Sequence, residues 1–135
     1  MFTAEERDYL QTQRLARLAT VAPDGQPTVD AVGFTFEDGR FYIGGHNLPG
    51  TRKYRNVDAG NRRVALIIDD LASVQPWTPR GIKVHGSAEI VERDGVFGPG
   101  RYFAITPQVS WSWGIVGSAF EEGRFKPHKI VWAAP

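Results

Sequence analysis

From Gly81 to Val91 the chain alternates without a slip. Ile82, Val84, Gly86, Ala88 and Ile90 fall on one side, and Lys83, His85, Ser87 and Glu89 on the other. A period of two belongs to a β-strand with one face toward a core. A strand of this length has to be part of a sheet, and the rest of the sequence supplies its neighbours. Leu15 to Ala22, Pro27 to Phe36 and Arg40 to Gly44 read as strands. Pro23-Asp24-Gly25-Gln26 and Glu37-Asp38-Gly39 are tight turns between them, which predicts an antiparallel meander. Val64 to Ile68 is continuously apolar, the pattern of a strand buried on both faces. Tyr102 to Ile105 and Val109 to Trp113 read as strand broken at Pro107, and Arg124 to Trp132 as a weaker last strand. Pro76, Trp77 and Pro79 make Leu71 to Arg80 a loop, and glycines make Glu92 to Gly100 a turn region.

Two short helices accompany the strands. Thr3-Ala4-Glu5-Glu6 is a capping box, which predicts a helix to about Gln13. Pro49-Gly50-Thr51 ends a turn and caps a second helix running to about Ala59, with Gly60 as its stop. Six or more strands with two short helices predict a mainly β fold, a small barrel filling residues 1–135 as a single domain.

The second helix carries the strongest functional signal. Its first turn holds Arg52, Lys53 and Arg55, cations at the end of a helix that favours anions. A bound phosphate or carboxylate would explain them, held by backbone N–H groups, the Thr51 hydroxyl and the cations. The alternative is a solvated basic turn without a ligand.

Elsewhere the sequence mostly excludes. Sixteen basic against fifteen acidic residues give a formal charge of +1, which argues against a nucleic-acid partner. Without cysteine there is no disulfide, thiol nucleophile or Cys-ligated metal. His46, His85 and His128 stand too far apart for a metal motif, so no metal is expected. No apolar run is long enough to span a membrane, and the acidic start does not read as a signal peptide, so a cytoplasmic protein is expected. Neither a Gly-x-Ser-x-Gly elbow, a Gly-x-Gly-x-x-Gly turn nor a P-loop is present. No catalytic side chain emerges. Trp77, Trp111 and Trp113 remain, as core, subunit interface or the wall of a slot for a planar ring.

Several of these features occur together in one known family. Leu18-Ala19-Thr20, Pro23-Asp24-Gly25-x-Pro27, Gly50-Thr51-Arg52-Lys53-Tyr54-Arg55-Asn56-Val57, Asn61-Arg62-Arg63-Val64-Ala65-Leu66, Asp69-Asp70, Gly86-x-Ala88 and Ser112-Trp113-Gly114 span nearly the whole chain. The sequence resembles the flavin-binding split-barrel superfamily of the pyridoxamine 5′-phosphate oxidase type, and within it the branch that uses the deazaflavin coenzyme F420. The resemblance implies a six-stranded antiparallel split β-barrel with short flanking helices, assembled as a homodimer with cofactors at the interface. It implies that Thr51, Arg52, Lys53 and Asn56 hold the cofactor phosphate, that Ile43 and Gly44 lie beneath the ribityl chain, and that Ala31, Val32 and Ile68 flank the ring. His46, Trp77 and Trp113 are the expected substrate-side residues. The implied activity is transfer of a hydride from reduced F420 to an unsaturated organic substrate. An FMN-dependent enzyme on the same fold, or a non-catalytic protein that holds F420, flavin or haem, are the alternatives. The segment Glu92 to Gly100 stands where longer relatives carry a helix, so the substrate is not carried over.

Overall fold

The computed structural model describes residues 1–45 and 47–134. The elements in order are α1 (Ala4–Gln11), β1 (Leu15–Val21), β2 (Pro27–Gly33), β3 (Thr35–Glu37), β4 (Arg40–Ile43), a 3₁₀ turn (Leu48–Gly50), α2 (Arg52–Asp58), β5 (Arg63–Ser73), β6 (Thr78–Gly95), β7 (Gly98–Trp113), β8 (Phe120–Glu121), β9 (Arg124–Phe125) and β10 (His128–Val131). The main sheet runs β2-β1-β5-β6-β7-β4-β3, with β10 also on β7 and every pairing antiparallel. Its first and last members are joined only by Phe34. The sheet is therefore closed by the covalent chain rather than by a hydrogen-bonded ladder, and this is the split of the barrel.

The predicted meander is corrected at that point. Pro27 to Phe36 is not one strand: β2 pairs with β1, whereas β3 pairs with β4 on the far side of the sheet. The alternation of Asp30, Val32, Phe34 and Phe36 runs straight through the bend, because alternation reports which face a residue is on and not which strand lies beside it. Both expected breaks are also strand. β5 and β6 extend through Ser73 and from Thr78, leaving only residues 74–77 as the connection. β6 and β7 extend to Gly95 and from Gly98, so the expected turn region is a long hairpin. The prolines are absorbed by bulges. Pro79 sits beside the register shift at Leu71–Ser73, and Pro107 beside the shift that leaves Gln108 unpaired opposite His85–Gly86. The last strand is divided into β9 and β10. β5 is buried on one face only: Val64, Leu66 and Ile68 point inward, while Ala65 and Ile67 are half-buried on the outside.

Leu18, Phe41, Ile43, Leu66, Ile68, Ile82, Val84, Phe103 and Ile105 fill the interior. α1 plugs one end. Its capping box forms as the sequence predicts, Glu6 N–H donating to Thr3 Oγ1 at 3.1 Å and Thr3 N–H to Glu6 Oε1 at 2.9 Å. This fixes Phe2 against Phe36, Phe41 and Trp132, with ring centroids 4.8–6.1 Å away. The helix stops at Gln11, two residues short of the prediction, where Thr12 turns its hydroxyl back onto the Tyr9 carbonyl at 2.7 Å.

A polar clamp ties α1 to the β5–β6 hairpin. The Arg80 guanidinium donates twice to Asp70, at 3.0 and 2.6 Å, and the Tyr9 hydroxyl donates to the same carboxylate at 3.0 Å. Arg80 holds the Asp70 carboxyl below its ordinary 3.8. Burial, and then Asp70, raise the Tyr9 phenol above its usual value. Because the folded state prefers ionised Asp70, the clamp stabilises fully above about pH 4 and fails as pH falls through the lowered value. Tyr9→Phe is expected to cost about 1.5 kcal/mol, or roughly 5 °C in melting temperature at neutral pH. Asp70→Asn should melt below the parent at pH 7, and thermal scans should show that gap closing as pH drops toward 3.

Candidate cofactor cleft at the start of the second helix

Strand β4 leaves the barrel at Ile43, passes Gly44 and Gly45, and enters the 3₁₀ turn anchored by buried Leu48. Thr51 then caps α2. Its hydroxyl donates to the Leu48 carbonyl at 2.7 Å and accepts the Tyr54 N–H at 3.3 Å. It therefore rivets the turn to the helix, and its proton is already committed. Tyr54, Asn56 and Val57 face inward, Arg52 and Arg55 are exposed on the opposite side, and Lys53 is half-buried at the inward edge.

Beside this helix start lies a cleft of about 580 Å³ between α2 and the β1–β2 turn. Arg52 and Asn56 line it from the helix, and Pro23, Asp24, Pro27 and Thr28 from the turn. Asp24 is occupied locally, accepting the Gln26 N–H at 3.0 Å. Asn56 is fully buried. Its Nδ2 donates to Thr20 Oγ1 at 3.0 Å, and its Oδ1 has no partner. A buried amide left half-satisfied costs about 1–3 kcal/mol unless something completes it. The Thr20 hydroxyl can donate as well as accept, so the amide can turn over and present its NH₂ to an anion. Lys53 has a side chain only 15% exposed and finds a carboxylate the sequence did not reveal, Asp30 on β2, at 3.9 Å. One cation on the cleft wall, Arg52, and one orphaned amide fit a phosphate ester, with Lys53 next along the helix beside Asp30.

The other expected residues divide. Val32, Ile43 and Ile68 have their side chains in the barrel core, so only their backbone could meet a ligand, while Ala31 is exposed. Gly44 is occupied from within: a Cβ there would stand 2.4 Å from the Tyr102 ring. Trp77 is exposed in the β5–β6 connection, and Trp113 faces Gly81 and Asp69 across the sheet. That level of β5 is six residues from Arg63, about 20 Å along the strand from the α2 end. One chain therefore does not bring these tryptophans to the cleft. His46 lies outside the described residues. Two partners escaped the sequence reading, Asp30 and Thr20. Both are inward-side positions of β1 and β2, whose register shows which residues face the helix.

A family model described as pyridoxamine 5′-phosphate oxidase matches residues 2–132. The chain belongs to that family. Among its relatives, a 5a,11a-dehydrotetracycline/5a,11a-dehydrooxytetracycline reductase of Streptomyces rimosus is 34% identical over 122 residues, covering 86% of this chain and 85% of the relative. A conserved hypothetical protein of Mycobacterium tuberculosis superposes with a TM-score of 0.67 at 25% identity, over 84% of each chain. A structure described as an F420 reductase superposes with a TM-score of 0.62 at 23% identity, over 82% of this chain and 98% of that one, which shows a shared fold. Among the described residues no helix is long and apolar enough to cross a membrane.

Proposed function

We propose that this oxidoreductase binds coenzyme F420 by its phosphate in the α2 cleft and reduces a carbon–carbon double bond in an organic substrate. The observation that carries the reading is the buried Asn56 amide, half-satisfied on the wall of that cleft beside Arg52. The Streptomyces reductase, the relative at 34% identity, supports the reaction class. Reduced F420 supplies the hydride when bound. Arg52 and Lys53 neutralise the phosphate, Asn56 orients it, and the rigid exit past Gly44 fixes the distance from anchor to barrel wall. The second hydrogen arrives as a proton from water, so no side-chain nucleophile is required.

A homodimer belongs to the same reading. Leu15, Val21 and Val29 are exposed on the outer face of β1 and β2, next to half-buried Ala19, Ala65 and Ile67. A second copy covering this apolar face would bring the tryptophans of one chain toward the cleft of the other. Sedimentation at micromolar concentration is expected to give a single species of twice the chain mass. A monomer removes the shared site.

Side-by-side fluorescence titration with F420 and FMN, followed by turnover of reduced F420 with a cyclic enone, tests the function. Tight F420 binding and oxidation coupled to loss of the enone are expected. Tight FMN binding instead moves the reading to a flavin enzyme, and F420 binding without turnover makes the protein a carrier.

A further inference from the structure

The outer face of β6, β7 and β10 carries a cluster that the cofactor cleft does not use. Trp111 is flanked by its two cross-strand neighbours, Lys83 on β6 and Lys129 on β10. Their ammonium nitrogens stand 4.5 and 6.0 Å from the indole centroid. His85 meets the same ring edge-on at 4.8 Å. Among the described residues neither lysine has a salt-bridge partner. Asp69, on the same face beyond Gly81, is held by Arg17 at 2.9 Å.

One ammonium over an indole is ordinary surface packing. Two, from the strands on either side of one indole, leave a strip of positive charge across the sheet that an anion would complete. The neighbouring surface is aromatic. Trp113 lies two residues on along the same face, about 7 Å away. It lies flat over Gly81, where a Cβ would come within 2.4 Å of the indole, and meets Phe125 at 5.7 Å. A cationic strip and an edge-to-face aromatic pair therefore adjoin.

We propose that this face binds a planar aromatic molecule bearing a carboxylate or phenolate. Its rings lie against Trp113, and its anionic group sits over the strip formed by Lys83, Trp111 and Lys129. This rests on the oxidoreductase reading only in naming the bound anion as substrate. A neutral aromatic would leave the lysines unused, and a non-planar anion would leave the aromatic wall unused.

The test is binding to the cofactor-free protein, read as quenching of tryptophan emission. The probes are anthracene-2-carboxylate, anthracene-2-carboxamide and cyclohexanecarboxylate. The parent is expected to bind the aromatic carboxylate about tenfold more tightly than the amide, the discrimination one charge-assisted contact gives. Cyclohexanecarboxylate should bind more weakly than either. Lys83→Met and Lys129→Met, which keep the side-chain length, should each erode the preference for the carboxylate and leave amide affinity unchanged. Added salt should act in the same direction. Equal affinity of the parent for acid and amide overturns the proposal. So does a lysine variant that weakens both probes alike or changes the sedimentation coefficient, since the lysines would then be structural or part of a subunit contact. F420 and FMN titrations of the same samples separate the two readings. Carboxylate preference without cofactor binding retains this site and ends the oxidoreductase reading, and cofactor binding without the preference does the reverse.

Discussion

Lys53→Ala is expected to weaken phosphate-cofactor binding about ten- to a hundredfold while the cofactor-free protein melts almost as the parent does. The loss corresponds to roughly 1.5–3 kcal/mol, the worth of a hydrogen bond to a charged group. Little stability should go with it. The Asp30 contact at 3.9 Å involves a carboxylate 39% exposed, and such pairs contribute about 0–1 kcal/mol. Removing a cation from the positive end of α2 offsets even that. Lys53→Arg keeps the charge with a different geometry and should retain part of the affinity. Thr51→Ala should behave differently and lose about 1 kcal/mol of stability, because its hydroxyl joins the Leu48 carbonyl to the Tyr54 amide. Fluorescence titration and thermal melts on the three variants decide the matter. A Lys53→Ala protein that binds as tightly as the parent and melts several degrees lower would make the cluster structural.

Gly44→Ala should have the largest effect on stability. The added methyl would meet the Tyr102 ring at 2.4–2.8 Å. That ring cannot swing away, since its hydroxyl donates to the Gly98 carbonyl at 2.6 Å and accepts the Phe97 N–H at 3.0 Å. Overpacking of this kind costs about 1–3 kcal/mol. Here the anchored ring places the expectation at the upper end, a fall of roughly 10 °C. Tyr102→Ala in the same background opens the space and should recover part of the loss relative to Tyr102→Ala alone. Additive losses in that double-mutant cycle would show that ring and glycine do not interact.

Much of this was legible in the sequence because the features were local. The alternation of β6, the Thr3–Glu6 box and the Thr51 cap each require residues only a few positions apart, and all three form as written. Of the cations after Thr51, Arg52 lines the cleft and Lys53 turns to Asp30. What could not be read depends on partners distant in the chain. Lys53 meets Asp30, Asn56 meets Thr20, and Gly44 receives Tyr102. The prolines misled for a related reason: a bulge lets a strand keep a proline, and whether a bulge exists is decided by the opposite strand. On β7 Ser110 and Ser112 alternate with Trp111 and Trp113, and it is the serines that are buried. The Trp132 indole N–H, one residue past β10, donates to Ser110 Oγ at 3.0 Å, a partner distant in the chain.

The split of the barrel has a consequence for solubility. Among the described residues β2 ends the sheet path with β1 as its one strand partner, so its other edge offers backbone groups to any passing strand. The run Thr28-Val29-Asp30-Ala31-Val32 would be a ready template for such pairing if it carried no charge. Asp30 interrupts it from the inward side, 3.9 Å from Lys53. The carboxylate beside the proposed phosphate-site lysine thus also guards the open edge, and the chain can leave its barrel unsealed without inviting aggregation there.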